Sequence, residues 1–205
     1  MELDHIYDFI KQKIIWLELA PESVLNLSVL AEEFRLSRTP VKEALILLQG
    51  EGWILRQGPH FMVTSLSLDR VREITEIRSI IEVQANLWAM HRMSGKEVAT
   101  LGELAEKMLH FDESQPNRLL VELDFSFHKT LYQGTKNNQL AQMLERLLSH
   151  YLRFWLSMDR KIEPKSFFEE TIQIVRALES KDESAVAEAT TAHIRKSVQE
   201  IMGFR

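Results

Sequence analysis

Cysteine is absent from the 205 residues. Its absence excludes disulfides, thiolate metal ligands and cysteine nucleophiles, and it fits a reducing compartment. The sequence also has no apolar run of the roughly 18 residues that a membrane span needs. The N-terminus is acidic and lacks the positive region of a signal peptide. We therefore expect a cytoplasmic protein without a membrane partner.

Glycine and proline are scarce, and they form no linker-like tract or repeat. An excess of positive charge is missing too, because the net charge is −5. Phosphate binding requires clustered Lys and Arg, so nucleic acid would have to be bound by a local basic patch. Hydrophobic content is 45% and charged content 27%, as in ordinary globular proteins.

Apolar residues recur at helical spacing along most of the sequence. Three helical segments precede residue 50, and WILRQGPHFMVTSL then contains two short apolar stretches around Gly58-Pro59, which predicts a β-hairpin. From Ser67 onward the pattern is helix after helix, and the first of these has an apolar stripe that includes Ile77. The others are predicted at about 95–112, 116–134, 137–159, 164–180 and 182–202. We predict a mainly α protein with an N-terminal domain at 1–66 and an antiparallel bundle of about six helices at 67–205.

The segment SRTPVKEALILL, residues 37–48, predicts a helix with a basic N-terminus. Ser37 is a natural N-cap, while Arg38, Thr39 and Lys42 lie opposite an apolar face and Arg35 lies just before the helix. A helix N-terminus also presents unpaired N–H groups and a positive dipole, both of which favour phosphate. The alternative is a helical hairpin whose basic end is simply solvated.

The preceding segment, SVLAEEF at 28–34, predicts a short helix that Ser28 caps. A short helix, a tight turn, a second helix and a hairpin together describe a winged helix-turn-helix, whose second helix enters the major groove. Residues 1–67 nevertheless contain six basic and nine acidic residues. One such domain should bind DNA weakly, so we expect a homodimer on a two-fold operator.

The stretch ELDFSFHKTL places Asp124 and His128 one helical turn apart on the apolar face of a predicted helix. His193 also lies on an inward stripe. A metal or ligand site is one interpretation, and a hydrogen-bonded core cluster is the other. A carboxylate with two histidines also suits a metal-dependent hydrolase, but the sequence has no G-x-S-x-G, H-E-x-x-H or phosphate-loop motif.

The segment LAEEFRLSRTPVKEALILLQGEGWI, residues 30–54, resembles the signature of GntR-type transcriptional regulators. Lys42 stands where that family usually has arginine, and Pro59-His60 replaces the usual Arg-Gly of the wing. The resemblance implies that the chain binds double-stranded operator DNA. The DNA-contacting residues that we predict are Ser28, Arg35, Ser37, Arg38, Thr39, Lys42 and Gly58.

The helical remainder resembles the FCD effector domain of the FadR branch, through Arg78 to Glu82, Asp124 with His128, and His193. That resemblance implies a small-molecule effector, often an organic acid, and in many members a divalent metal held by one Asp and three His. Thr171 occupies the position of the remaining histidine. Either the three matching residues keep one ion (Zn, Ni or Mn) per chain, or they form a polar lining without metal.

Arg78 and Thr171 are the residues that we predict to bind the effector. For Arg78 the alternative is an ion pair with Glu82 one turn along the helix. We expect a regulator, not an enzyme, whose operator affinity a small molecule controls. The alternatives are a metal-dependent hydrolase-like enzyme with an accessory winged helix, and a protein-interaction module that no longer binds DNA.

Overall fold

The computed structural model describes residues 2–203 and divides the chain into two compact units, with the division between Ser67 and Leu68. The first unit contains α1 (Glu2–Ile15), β1 (Val24–Leu25), α2 (Leu27–Phe34), α3 (Arg38–Gly50), β2 (Ile54–Gln57) and β3 (His60–Val63). The second contains α4 (Leu68–Arg92), α5 (Gly95–Leu109), α6 (Asn117–Gly134), α7 (Asn138–Ser157), α8 (Pro164–Ser180) and α9 (Glu183–Met202). The predicted winged helix-turn-helix and six-helix bundle are confirmed.

The core of the first unit joins one face of α1 to one face of α3. Three isoleucines four residues apart on α1 are fully buried, and α3 contributes the apolar face that its periodicity predicts. Trp53 and Phe61 close this core from the sheet. The buried residues on the two helices are Ile6, Ile10, Ile14, Val41, Ala44, Leu45 and Leu48.

The sheet is small and antiparallel, with the strand order β1-β3-β2. In the hairpin, Gln57 pairs with His60 across the two-residue turn Gly58-Pro59, and Gly58 has a φ of 59°. A type II′ turn has its positive φ at the first central residue, and proline fits the second. The sequence did not predict β1, which pairs Val24 with Met62 and Leu25 with Phe61.

The short helix α2 begins earlier than the sequence predicts. Asn26, not Ser28, is its N-cap, and the Asn26 side chain accepts hydrogen bonds from the backbone N–H groups of Ser28 and Val29. Asparagine and serine are both good N-cap residues. Asn26 takes the N-cap position of α2 because it directly follows β1. Ser28 therefore lies in the first turn, with its side chain exposed.

In the second unit α4 packs against α9, α6 and α7, and α8 packs against α9 and α5. Several helix ends are capped by side chains: Ser94 and Glu97 form a capping box at α5, and Asp182 caps α9. None of the described helices combines the length and the apolar composition that crossing a membrane requires.

The apolar stripe predicted on α4 is only partly the buried one. Val71 and Ile74 are buried, but Ile77 is 44% exposed and the core-facing positions after them hold Arg78 and Glu82. Ile77 belongs to the pattern that predicts the helix, but it lies off the buried face, where Arg78 and Glu82 are the polar members. These polar residues position the second candidate site.

Candidate functional site

The first candidate site is the N-terminus of α3. Ser37 is the N-cap, but its hydroxyl makes no capping hydrogen bond and its side chain is exposed. Arg38, Thr39 and Lys42 are exposed as well, and within residues 2–203 neither Arg38 nor Lys42 forms an ion pair. The first turn of α3 therefore presents two cations, two hydroxyls and its own backbone N–H groups to solvent.

The turn before α3 and the wing present two further predicted positions. Arg35 ends α2 in the left-handed conformation, with a φ of 56°, and its side chain is exposed. At the wing tip the side chain of Arg56 donates a hydrogen bond to the carbonyl oxygen of Gly58 at 3.2 Å. This bond holds a positive charge at the tip of the hairpin, which the sequence did not predict. Ser28 is exposed on α2.

The second candidate site is a buried polar cluster built on two helices at four-residue spacing. One column is on α4 and the other on α6, and all members of both are buried. Four-residue spacing places each column along one helix face. The columns consist of Arg78, Glu82 and Asn86 on α4, and of Asp124, His128 and Tyr132 on α6.

Glu82 joins the two columns. Its carboxylate accepts hydrogen bonds from Arg78 at 2.9 and 3.2 Å and a further one from the Tyr132 hydroxyl. The Arg78 guanidinium also lies over the ring of Tyr151, 4.9 Å from the ring centroid. The ion pair that was the alternative for Arg78 is therefore present, and both of its side chains are buried.

His128 lies between two carboxylates without a hydrogen bond to either. Its Nε2 is 3.7 Å from Asp124 Oδ1, and its Nδ1 is 3.8 Å from Glu82 Oε1. Among the described residues, both ring nitrogens and Asp124 Oδ1 are buried without a hydrogen-bond partner. Buried polar atoms in this state require a water molecule, an ion or a ligand. The sequence prediction placed these two residues in the core correctly but could not show that they are unsatisfied.

His193 and Thr171 complete the cluster from α9 and α8. The His193 ring centroid is 4.9 Å from that of His128, and Thr171 Oγ1 is 3.5 Å from His193 Nδ1. The structure therefore brings Asp124, His128 and His193 together with Thr171 at the fourth position, as the resemblance to FCD domains implies. Farther along, the Asn86 amide donates to Thr190 at 2.9 Å.

Burial controls the protonation of this cluster. Desolvation raises the pKa of Asp124 to about 7, although Arg78 opposes the shift. Desolvation lowers the pKa of His193 to about 4 and that of His128 well below its usual value, and Arg78 lowers both further. The two imidazoles are therefore neutral at pH 7. Burial alone lowers the pKa of Arg78, but Glu82 together with Tyr132 and Tyr151 outweighs it and raises that pKa.

A narrow cavity adjoins the cluster, with room for about one water molecule. Its lining includes the polar side chains of Arg78, Asp124 and His193 and three aromatic rings, those of Tyr151, Trp155 and Phe167. Its other charged lining residues are Glu170, Glu200 and Lys196, of which Lys196 pairs with Glu170 at 2.8 Å. Thr171 is fully buried and contacts this lining through His193.

The residues of the cluster do not fit a resident divalent ion. Within residues 2–203, no group of three or more His, Asp or Glu side chains is arranged to hold a metal. Thr171 supplies a neutral hydroxyl, a poor ligand for Zn, Ni or Mn, at the position where an imidazole is expected. Some FCD domains bind metal, whereas in this chain the set is reduced to one carboxylate, two imidazoles and the Thr171 hydroxyl.

Family models match both units of the chain. The model of the bacterial regulatory proteins of the gntR family matches residues 3–59, and the FCD domain model matches residues 73–196. The chain belongs to the GntR family. The winged unit is its GntR DNA-binding domain, and the bundle is an FCD domain, the effector-binding domain of these regulators.

Relatives along the whole chain are transcription regulators. The HTH-type transcriptional repressor RspR of Escherichia coli strain K12 is 26% identical over 203 residues, covering 98% of this chain and 89% of RspR. The Nta operon transcriptional regulator of Aminobacter aminovorans is 27% identical, covering 89% and 86%. The solved structure of E. coli McbR/YncC shares the fold, with a TM-score of 0.85 over 99% of this chain and 98% of that one at 21% identity. These matches support a GntR-family regulator over the hydrolase-like alternative.

Proposed function

We propose that this GntR-family protein binds operator DNA as a homodimer through the N-terminus of α3, and that a small molecule in the FCD bundle changes its operator affinity. The observation that carries the DNA contact is the exposed first turn of α3. Arg38 and Lys42 reach base edges or phosphates there, and Ser37 and Thr39 contact phosphates. The absence of ion pairs for both cations within the described residues leaves their charge available to DNA.

The remaining contacts lie around this turn. Arg35 precedes it, Ser28 contacts phosphate from α2, and Gly58 brings the wing backbone close to DNA together with Arg56. Glycine suits the wing tip because its positive φ would strain any other residue. Because the unit as a whole carries more acidic than basic residues, its affinity depends on these few contacts and on pairing two units.

We assign the homodimer interface to the exposed apolar face of α4. Ile77 is 44% exposed and Ile80 is 77% exposed, while Arg78, Glu82 and Asn86 lie on the buried face of the same helix among apolar residues. These exposed isoleucines are explained if a second copy of the chain packs against them and buries them. A two-fold pair of chains then presents two α3 helices to the two half-sites of an operator.

The effector site that we propose is the cavity beside Arg78 and Asp124. Arg78 uses its Nε and Nη2 for Glu82, and within the described residues its Nη1 makes no hydrogen bond. This unused donor suits a carboxylate, the group that the resemblance to FCD domains implies. The cavity is too narrow for an organic acid as it stands, so binding requires the surrounding helices to move. Such a movement lets the ligand shift the population of DNA-binding dimers.

We propose further that the bundle works without a resident metal. This follows from the donor set, in which Thr171 leaves one carboxylate and two imidazoles. Localisation in the cytoplasm, where operator DNA is found, is part of the same proposal.

The proposed DNA binding is tested by selecting duplexes from a random pool with the full chain. We expect enrichment of one motif with two-fold symmetry whose half-site centres are about one helical turn apart, with affinity that falls steeply as salt rises. A pool that shows no enrichment after repeated rounds, with the protein folded and dimeric, would contradict the proposal.

A further inference from the structure

The polar lining of the FCD cavity combines an unused acceptor with an unused donor. Asp124 Oδ1 is buried, lines the cavity and has no hydrogen-bond partner among the described residues. Arg78 lines the same cavity, and within the described residues its Nη1 makes no hydrogen bond. A ligand that satisfies both must bring a hydrogen-bond donor as well as an acceptor.

A simple organic acid satisfies only one of these two groups, the Arg78 donor. Its carboxylate suits Arg78, but it brings no donor to Asp124 and places a second carboxyl group close to the first. Two neighbouring carboxylates in a buried site oppose each other's ionisation. In a metal-holding FCD domain the ion supplies the compensating charge, whereas here Thr171 places a neutral hydroxyl at the position of one ligand. Without an ion, either Asp124 keeps its proton or the ligand itself supplies the positive charge.

The charges that line the cavity have both signs. Asp124, Glu170 and Glu200 are acidic, while Arg78 and Lys196 are basic, and Glu82 already compensates Arg78. Acidic groups are therefore in slight excess, which favours a ligand with a cationic group. The rings of Tyr151, Trp155 and Phe167 also line the cavity, and they favour an ammonium group next to aromatic faces and an apolar body.

Resting on the proposed effector site, we infer that the ligand is a zwitterion of the amino-acid class. Its carboxylate accepts hydrogen bonds from Arg78 Nη1, its ammonium group donates to Asp124, and an apolar side chain packs against Trp155 and Phe167. The ammonium group takes the charge-compensating role that a metal plays in other FCD domains. Recognition then needs no metal, and it discriminates against both the corresponding acid and the corresponding amine.

The first experiment is calorimetric titration of the full chain, in buffer with EDTA, against each of the twenty standard L-amino acids. We expect saturable binding of at least one amino acid with an apolar side chain. The best binder is then compared with its deaminated acid and its decarboxylated amine, which for leucine are 4-methylpentanoate and 3-methylbutylamine. Both should bind about thirtyfold more weakly or worse, because each leaves one buried charge unpaired.

Variants locate the ammonium contact. Asp124→Asn keeps the shape of the side chain but removes its charge, and it should weaken amino-acid binding about thirtyfold or more. Glu122→Gln, on the same helix but outside the cavity, is the matched control and should bind like the parent chain. Circular dichroism checks that both variants fold, and the comparison of the three ligands on the unmodified chain requires no variant.

Three results would overturn the inference: no amino acid binds, the deaminated acid binds as tightly as the amino acid, or binding appears only when a divalent metal is added. Parallel titrations with the selected operator duplex separate this inference from the proposed function. If an amino acid binds but does not change operator affinity, the effector role is rejected and the amino-acid class of the ligand is supported. If an acid that lacks an amino group changes operator affinity, the effector role is supported and the amino-acid class of the ligand is rejected.

Discussion

Arg78 and Glu82 form a two-pronged ion pair inside the bundle, with distances of 2.9 and 3.2 Å and with 2% and 1% of their side chains exposed. Removing one member of a buried pair leaves an uncompensated charge and costs about 3–5 kcal/mol. Glu82→Gln should therefore lower the free energy of unfolding by about that amount. Urea unfolding followed by circular dichroism measures it.

The same helix offers a matched control. Arg72 and Glu76 have the same four-residue spacing, but both are more than half exposed and their atoms are 3.9 Å apart. Glu76→Gln should change stability by less than about 1 kcal/mol, because exposed pairs contribute little. Similar losses in the two variants would show that the Arg78 pair is not the buried link described above.

Protonation of Asp124 makes the bundle sensitive to pH. Burial raises the pKa of this carboxyl to about 7, from 3.8 when unfolded, so the folded state binds its proton more tightly. The contribution of Asp124 to stability therefore decreases as pH rises from about 4 to about 7. Asp124→Asn lacks this titration. Relative to the parent chain, its stability should rise by on the order of 4 kcal/mol as the pH increases from 4 to 8.

Other ionisable groups face Asp124, namely Arg78, Glu82, His128 and His193, and they are present in both proteins. The stability difference between the two proteins therefore isolates the carboxyl group. Urea midpoints at pH 4, 6 and 8 give this difference. A difference that stays constant with pH would show that Asp124 ionises normally in the folded protein.

The sequence predicts most of the fold because most of it follows local rules. The N-terminus of α3, its apolar face and the Gly58-Pro59 turn are all determined by neighbouring residues. The strand β1 was missed because two residues, Val24 and Leu25, show no alternation, and they form a strand only by pairing with β3. Helix α2 was given the wrong cap because Asn26 and Ser28 are equally good caps in sequence.

Only some of the residues in the buried cluster could be predicted from the sequence. The positions of Asp124, His128 and His193 followed from helical periodicity and from the family pattern. Glu82 and Tyr132 were missed as partners because their meeting depends on how α4 and α6 pack. A signal for them did exist, since Arg78, Glu82 and Asn86 recur every four residues in a helix with apolar neighbours.

Restoring the missing histidine should create a metal site. Thr171→His places a third imidazole next to His193 and completes the set that FCD domains use. Metal analysis after purification without chelator should find about one Zn, Ni or Mn ion per chain in this variant. The parent chain and Thr171→Val, the isosteric control, should carry far less than one.

Fully buried Thr171 leaves little room for a larger side chain, so overpacking should cost about 1–3 kcal/mol. The variant must therefore be shown to be folded before its metal content is compared. One ion per chain in the parent protein would prove the metal-free account wrong.

The exposed face of α4 should decide the oligomeric state. Ile80→Glu places a charge at the proposed interface and should convert the dimer to a monomer at micromolar concentration, as measured by light scattering or sedimentation. Leu119→Glu, on α6, is the control because Leu119 is also an exposed apolar residue, 42% accessible. A monomeric parent chain, or an Ile80→Glu variant that stays dimeric, would refute this interface.

The central claim is that the first turn of α3 recognises operator DNA, and Arg38 tests it most directly. Affinities of the parent chain, Arg38→Ala and the control Arg176→Ala are measured by fluorescence anisotropy on the selected duplex at fixed salt. Loss of one arginine contact costs about 1–3 kcal/mol and occurs twice in a dimer, so Arg38→Ala should bind about thirtyfold more weakly or worse. Arg176, exposed on α8, should have no effect. Unchanged affinity in folded, dimeric Arg38→Ala would contradict the account.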